Sequence, residues 1–335
     1  MTEPGLFAIY EGIVVPDSES AGTPFFTVRP VAEHSTYFVG KDASARACLL
    51  IATANEFGRK PPPIRLESLD AQFELACVIR DPTGEVREDL FTVVRCRSLE
   101  TETIRYFLSV CRIIMRHLGS APSRTSIAAA VRRIASIFQS IKKPPVRSLN
   151  GLFGELFMIL QSRSPTRAVA AWRIDEASRY DFASGDVRID VKSSAVRTRK
   201  HTFSYDQCNP PPGTEAVVAS IMVERIPSGI SLDSLIGSIE ERIAADEDLV
   251  LKLHQVVAST LGSSLSESMQ VSFDPRLAAT SLEFFDLREI PALRGPLPPS
   301  VSDVRFTVDM SGLVPLAKEA LIDRDPHFWD LVPDE

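Results

Sequence analysis

Short apolar runs separated by turn-forming segments dominate the first hundred residues. The runs have the length and the β-branched and aromatic content of strands, and segments such as RDPTGE and GRKPPP interrupt them with proline and glycine. We therefore predict a β-rich N-terminal domain over residues 1–100. Its expected strands cover residues 25–31, 37–40, 47–54, 73–80 and 90–97.

The pattern changes to a helical period at about residue 101. Residues 102–118 are apolar along one stripe. Downstream, apolar residues recur at steps of four and three residues and form a second stripe. Lys142 and Lys143 suit the last turn of the second helix, and two prolines then end it. These features predict a helical connector over residues 101–147. The second stripe consists of Ile127, Val131, Ile134, Phe138 and Ile141.

The remaining residues, 148–335, alternate between helical and strand-like patterns. An apolar helix over 148–162 is followed by an expected strand at 168–174 and by the segment RYDFASGDVRIDVKSS, which is typical of two strands joined by a tight turn. This order predicts an α+β or α/β domain with an acidic C-terminal extension. Later expected elements are a strand at 214–226, a helix at 231–260, and strands at 281–290 and 304–312.

The net charge of −7 conceals an uneven distribution along the chain. Residues 103–201 contain 18 basic and 6 acidic side chains, a net charge of +12, which leaves −19 for the rest. A basic middle segment suits a surface that faces phosphates, because neutralising backbone phosphates releases counterions. The same charges would also suit solvated helix faces, so charge alone leaves both interpretations open.

Cysteine spacing and hydropathy exclude several classes of protein. The five cysteines form no C-x-x-C pair, and none of the five histidines has metal-site spacing, which argues against structural zinc and a disulfide framework. We expect the cysteines in the apolar runs to be buried thiols. No apolar stretch approaches the roughly 20 residues that span a bilayer, and the N-terminus lacks a basic leader region. We therefore expect a cytoplasmic protein without membrane association.

The segment around residue 185 brings together charged residues suited to metal chemistry. If Gly185 and Asp186 form a hairpin turn, Asp181 lies directly opposite Asp190, and Lys192 projects from the same face as Asp190. Two carboxylates this close repel one another, and a divalent cation removes that conflict. Carboxylate oxygens suit Mg²⁺, which keeps waters and accepts phosphate oxygens as further ligands.

A third acid lies in the apolar helix that precedes this hairpin. Glu155 is surrounded by apolar residues in GLFGELFMIL, where a carboxylate is costly unless it is paired or bound to metal. Gly151 and Gly154 would each weaken the helix by roughly 1 kcal/mol relative to alanine. We therefore expect both glycines to allow a close approach of another element, which would bring Glu155 to the hairpin.

These residues together resemble the PD-(D/E)XK nuclease superfamily, and more narrowly the PD-(D/E)XK motif proteins of bacterial restriction and defence loci. The resemblance is carried mainly by residues 150–220, and Tyr180 stands where the motif has proline. It implies a restriction-endonuclease-like core, a central mixed sheet flanked by helices, and catalysis with Mg²⁺ or Mn²⁺ as its substitute. Glu155, Asp181 and Asp190 match the metal-binding acids, and Lys192 matches the catalytic lysine.

Flanking residues extend the predicted site. Phosphate contacts are expected from Arg197, Arg199, Lys200, Arg132, Arg133, Lys142 and Lys143, with a solvated loop or a mere linker as the alternative interpretation. His201 and Gln207 are candidates for supporting the site or for ordinary hydrogen bonding, and Trp172 is expected in the core.

The resulting hypothesis is a Mg²⁺-dependent DNA endonuclease of a restriction or phage-defence system. Two alternatives stay open: a catalytically silent DNA-binding or scaffold subunit, and a nuclease acting on RNA or on repair intermediates. The resemblance is also compatible with a homodimer and with an ATPase, helicase or methyltransferase partner.

Overall fold

A computed structural model describes residues 5–16, 23–31, 34–53, 58–173 and 178–333 of the chain. The predicted strands 47–54 and 168–174 each end on a residue outside these ranges. The chain forms two compact units. The first unit comprises residues 1–145 and 262–266, and the second comprises residues 146–261 and 267–335.

A six-stranded sheet forms the centre of the first unit. Its order is β1-β2-β3-β6-β5-β4, and β1 also pairs in parallel with β5, so the sheet closes on itself. Alternate side chains such as Phe26, Val28, Phe38 and Leu50 fill the interior, as the period of two along a strand requires. After a short helix α1 (Leu6–Glu11), the strands are β1 (Phe25–Val31), β2 (His34–Asp42), β3 (Ala47–Ala52), β4 (Ile64–Arg65), β5 (Leu69–Arg80) and β6 (Val86–Cys96).

Two amphipathic helices complete the first unit, α2 (Thr101–Leu118) and α3 (Arg124–Ser140). Their apolar stripes are buried, and Ser68 Oγ donates a hydrogen bond of 2.9 Å to the carbonyl oxygen of Phe138. Residues 101–145 of the segment predicted as a connector therefore belong to the same unit as the sheet. The second helix ends at Ser140, so the prediction that Lys142 and Lys143 lie in its last turn is wrong, and both follow it in an exposed turn.

The second unit has a four-stranded mixed sheet of order β13-β10-β8-β7. Strand β10 runs parallel to β8, whereas β7 and β13 are antiparallel to their neighbours. The mixed sheet with flanking helices confirms the predicted fold class. Its strands and those near it are β7 (Phe182–Ser184), β8 (Val187–Ser194), β9 (Lys200–Ser204), β10 (Glu215–Met222), β11 (Arg225–Ser231), β12 (Ser272–Phe273), β13 (Glu283–Asp286) and β14 (Arg305–Asp309).

Helix α4 packs against β8, the strand that carries the predicted catalytic motif. Ser148 caps the helix by accepting a hydrogen bond from the Gly151 amide. The helices from here to the C-terminus are α4 (Leu149–Gln161), α5 (Pro165–Ala171), α6 (Tyr205–Cys208), α7 (Leu232–Ile243), α8 (Glu247–Leu261), α9 (Leu265–Met269), α10 (Pro275–Ser281), α11 (Lys318–Arg324) and α12 (Phe328–Leu331).

Some of the elements predicted for the second unit differ from the structure. The expected strand at 168–174 is mostly helix α5, because Ser164 caps it, Pro165 occupies its first turn and alanines follow. Among its described residues, 168–173, only Trp172 pairs like a strand residue, in a bridge to Phe182. The expected helix at 231–260 is two helices, interrupted between Ile243 and Glu247.

All five cysteines are buried thiols, as predicted for those in the strands. Within the described ranges, no helix is both long and apolar enough to cross a membrane.

Candidate active site

The hairpin forms with the predicted register. Phe182 pairs with Ile189 and Ser184 with Val187, and Gly185 adopts a φ of +53° in the turn, a conformation that glycine tolerates without strain. Asp181 directly precedes this ladder, opposite Asp190. Its Oδ2 accepts a hydrogen bond of 2.8 Å from the Val191 amide, so the carboxylate is held against β8.

Gly154 brings α4 against the sheet, as predicted. A Cβ at this position would lie 2.1 Å from Ser193 Oγ and 3.0 Å from a methyl carbon of Ile221. Gly151 has a different role, because a Cβ there would meet, among the described residues outside its own helix backbone, only Ser148 Oγ of the helix cap, at 3.2 Å. The close contact at Gly154 places the neighbouring Glu155 in the same buried region as the hairpin.

Glu155 is enclosed by two donors. Its side chain accepts hydrogen bonds of 2.6 Å from Trp172 Nε1 and of 2.6 Å from Arg173 Nη2, and the residue is only 2 % exposed. Burial, reinforced by the negative charge of Asp181, raises the pKa of Glu155 to about 7. Trp172 is fully buried, so the expectation of a core role is confirmed and extended by this hydrogen bond.

Asp190 and Lys192 form an ion pair on one face of β8. Lys192 Nζ lies 2.8 Å from Asp190 Oδ2, yet within the described ranges Oδ2 has no hydrogen bond of regular geometry. Burial raises the pKa of Asp190 to about 6, although the Lys192 charge opposes the shift. The negative charge of the Asp190 carboxylate is therefore buried, and the positive charge of Lys192 offsets the cost of that burial only in part.

Gln207 connects the two partners of this pair. Its Nε2 donates 3.0 Å to Asp190 Oδ1, and its Oε1 accepts from Lys192 Nζ at 3.3 Å. The same oxygen accepts from the Ser204 amide in the capping box that begins α6. Gln207 thus fixes the relative positions of Asp190 and Lys192, and the expected support of the site has a geometric basis.

Arg147 places a positive charge beside the acids, a contact that was not predicted from the sequence. Its Nη1 lies 2.6 Å from Asp181 Oδ1 and 3.7 Å from Glu155 Oε1. The sequence contributed only the observation that Arg147 belongs to the basic segment. Its place immediately before the Ser148 cap of α4 was the one local signal that it could reach Glu155.

The donor set fits a divalent cation only in part. Asp181 and Asp190 offer hard carboxylate oxygens from opposite positions of one hairpin, and Asp190 Oδ2 lacks a regular hydrogen bond among the described residues. However, no three His, Cys, Asp or Glu side chains of the described ranges are grouped as ligands of a single ion. The predicted three-acid ligand set is not assembled in this arrangement, because Glu155 bonds to Trp172 and Arg173. Asp181 and Asp190 therefore fit a divalent cation, whereas Glu155 is already held by Trp172 and Arg173.

Arg199 does not have the exposed position that a phosphate contact requires, and His201 makes the ordinary hydrogen bond that was one of its two expected roles. Arg199 is 8 % exposed, and it donates hydrogen bonds to the carbonyl oxygens of Ser220 and Ser281, so it cannot contact a phosphate from there. Buried His201 shares a hydrogen bond of 2.8 Å with Ser220 Oγ, and burial lowers its pKa to about 4. Both residues join β9 to the main sheet and are structural.

The other predicted phosphate contacts are exposed. In the second unit, Arg197 lies 3.2 Å from Glu224 and Lys200 lies 3.8 Å from Asp309, and both pairs are open to solvent. In the first unit, Lys142 lies 3.0 Å from Glu67, another exposed pair. Arg132, Arg133 and Lys143 are also exposed. These side chains are open to solvent, and their predicted role in phosphate binding stays a prediction.

Comparison with known proteins gives one match. Residues 8–311 match the model of the family described as "Putative PD-(D/E)XK family member, (DUF4420)". No curated protein and no solved structure matched the chain.

Proposed function

The chain belongs to the DUF4420 family of PD-(D/E)XK proteins, and from that membership we propose that it is a Mg²⁺-dependent nuclease that hydrolyses phosphodiester bonds of DNA. The observation that carries the proposal is the cluster of the buried acids Glu155, Asp181 and Asp190 with the half-buried Lys192, which one hairpin and one helix bring together. Buried groups with perturbed pKa values are typical of catalytic sites.

The side chains have distinct roles in this proposal. Asp181 and Asp190 would hold the cation through carboxylate oxygens, and Lys192 would place its positive charge beside the phosphate or orient the attacking water. When bound, Mg²⁺, or Mn²⁺ in its place, activates water and stabilises charge on the phosphate. Gln207 holds Asp190 and Lys192 in position, and Glu155 accepts a hydrogen bond from Arg173.

The substrate and the biological setting are parts of the same proposal. The basic segment 103–201 and the exposed Arg132, Arg133, Lys143, Arg197 and Lys200 favour an anionic polymer as the substrate. A restriction or phage-defence role, with an ATPase, helicase or methyltransferase partner, follows from the family resemblance and not from the site.

A nuclease assay with matched variants tests the proposal. Asp190→Asn and Lys192→Met keep the size of the side chains, and we expect each to reduce Mg²⁺-dependent cleavage of DNA at least a hundredfold while salt-sensitive DNA binding persists. Arg276→Gln, an exposed position on α10, is the control and should cleave like the parent. Cleavage by both site variants at the parental rate would refute the assignment.

A catalytically silent DNA-binding subunit is the second candidate function. The observation in its favour is the contact between Arg147 and Asp181, which neutralises the acid without a metal. The same assay separates the two candidates, because a silent subunit would bind DNA and show no cleavage that depends on Mg²⁺ or Mn²⁺. RNA and branched repair intermediates, tested beside duplex DNA, define the substrate class.

A further inference from the structure

The two oxygens of Asp181 have different partners. Oδ2 accepts a hydrogen bond from the backbone amide of Val191, a partner that the strand holds in place. Oδ1 accepts a hydrogen bond of 2.6 Å from Arg147 Nη1. Because Oδ2 is committed to the backbone, Oδ1 is the oxygen that a metal ion would take first. Arg147 and a metal ion therefore compete for the same atom.

Arg147 is placed so that it can leave. Its side chain is 38 % exposed, and it lies between the exposed Val146 and the Ser148 cap of α4. The Val146 amide donates to the carbonyl oxygen of Thr260, which anchors the backbone beside Arg147. The guanidinium can therefore move into water while its backbone stays in place.

Arg173 provides the contrast within the same cluster. Its side chain is 11 % exposed, and its two terminal nitrogens donate to Glu155 Oε1 and to Thr260 Oγ1. Removing this guanidinium would leave buried acceptors without donors, which is costly. Arg173 is thus a permanent partner of Glu155, whereas Arg147 is exchangeable.

The charges of the cluster favour such an exchange. Glu155, Asp181 and Asp190 face Arg147, Arg173 and Lys192, so three carboxylates are balanced by three cations. Binding of a divalent cation would therefore give the cluster a net charge of +2. Release of the exposed arginine relieves part of that excess, and a guanidinium at the mouth of the site is suited to a phosphate oxygen.

We propose that Arg147 is an exchangeable counterion, which neutralises Asp181 while no metal is bound and moves to a phosphate of the substrate when the cation occupies Asp181. The inference rests on the proposed function, because it requires a metal ion at Asp181 and a nucleic-acid substrate.

Mn²⁺ binding, measured by electron paramagnetic resonance at pH 8 without DNA, tests the first half of the exchange. Arg147→Gln removes the competitor, and we expect it to bind Mn²⁺ about tenfold more tightly than the parent. Arg147→Lys keeps the positive charge on a shorter side chain, and its increase in Mn²⁺ affinity should be smaller than that of Arg147→Gln. Arg276→Gln, with the same loss of charge on exposed α10, should match the parent, and Asp181→Asn should bind weakly.

The outcomes separate this inference from the proposed function. If the parent binds Mn²⁺ and Arg147→Gln binds no more tightly, the exchange is refuted and the metal site stands. If neither the parent nor Arg147→Gln binds Mn²⁺, the metal-dependent function fails and the exchange fails with it. Tighter binding by Arg147→Gln, including binding that appears only in this variant, supports the exchange.

DNA affinity at several salt concentrations tests the second half. In the presence of Ca²⁺, which takes the same oxygen ligands, Arg147→Gln should reduce the slope of log affinity against log salt by about one, the loss of one phosphate contact. Without a divalent cation, Arg147 is held by Asp181, and parent and variant should have equal slopes. Equal slopes under both conditions would refute the transfer of Arg147 to phosphate.

Discussion

Replacing Glu155 by glutamine should make the stability of the second unit less dependent on pH. In the folded protein, burial and Asp181 raise the pKa of Glu155 from 4.5 to about 7. The folded state therefore holds a proton that the unfolded state releases. The stabilisation is complete below pH 4.5 and is lost as the pH rises through about 7.

The size of the effect follows from this shift. One pKa unit corresponds to about 1.4 kcal/mol, and integration of the linkage relation places about 2.5 kcal/mol of the loss between pH 5 and pH 8. Glu155→Gln cannot titrate, so its free energy of unfolding should fall by about 2.5 kcal/mol less than that of the parent over this range. Asp190, whose pKa is raised to about 6, adds the same pH dependence to the free energy of unfolding of the parent and of the variant.

Comparing two pH values removes a complication of the glutamine side chain. Its amide nitrogen is a donor, and it would meet either Trp172 Nε1 or Arg173 Nη2, which are donors as well. This conflict destabilises the variant, but it is the same at pH 5 and pH 8. The difference between the two pH values therefore isolates the titration of Glu155.

The assay is urea unfolding without metal, followed by tryptophan fluorescence. The chain has two tryptophans, Trp172 and Trp329, and both belong to the second unit, so the signal reports that unit. Glu241→Gln, at an exposed position of α7, is the control and should keep the parental pH dependence. If Glu155→Gln loses as much stability between pH 5 and pH 8 as the parent, the argument from a buried, proton-binding Glu155 is refuted.

Three further predictions follow from the packing and the charges. Gly154→Ala should destabilise the second unit by about 2 kcal/mol in the same urea assay, because the added Cβ collides with Ser193. Gly237→Ala, where no described atom lies within 4 Å of the added Cβ, should stabilise the unit by up to about 1 kcal/mol. Equal effects of the two substitutions would contradict the close contact at Gly154. Arg199→Gln should lower the free energy of unfolding by about 3 kcal/mol or more in the urea assay, because it leaves buried acceptors unpaired. The folded variant should keep the DNA affinity of the parent. A stable variant that binds DNA weakly would instead support the predicted phosphate contact. Arg132→Glu combined with Arg133→Glu should weaken DNA binding and flatten its salt dependence, measured by fluorescence anisotropy, and unchanged affinity would assign these exposed charges to solvation alone.

The hairpin of the candidate site was predictable from local sequence. Gly185 and Asp186 favour a tight turn, and the alternation of side chains then determines that Asp181 faces Asp190 and that Lys192 shares its face. The apolar setting of Glu155 and the adjacent Gly154 likewise predicted a buried acid near this hairpin. Each of these inferences depends on residues close together in the chain.

The partners of the charged groups were not predictable in this way. Arg197 and Arg199 are two residues apart in one basic run, yet Arg197 is exposed, whereas Arg199 is buried and donates hydrogen bonds to Ser220 and Ser281. Local sequence cannot distinguish them, since the acceptors come from distant elements, strand β10 for Ser220 and helix α10 for Ser281.

The sequence by itself determined the buried faces of most strands and helices, because hydrophobic periodicity is a local property of the chain. Only the tertiary structure decided that Arg147 neutralises Asp181 and that Glu155 bonds to Trp172 and Arg173. A buried carboxylate takes whichever donors packing brings within about 3 Å, and packing joins residues far apart in sequence.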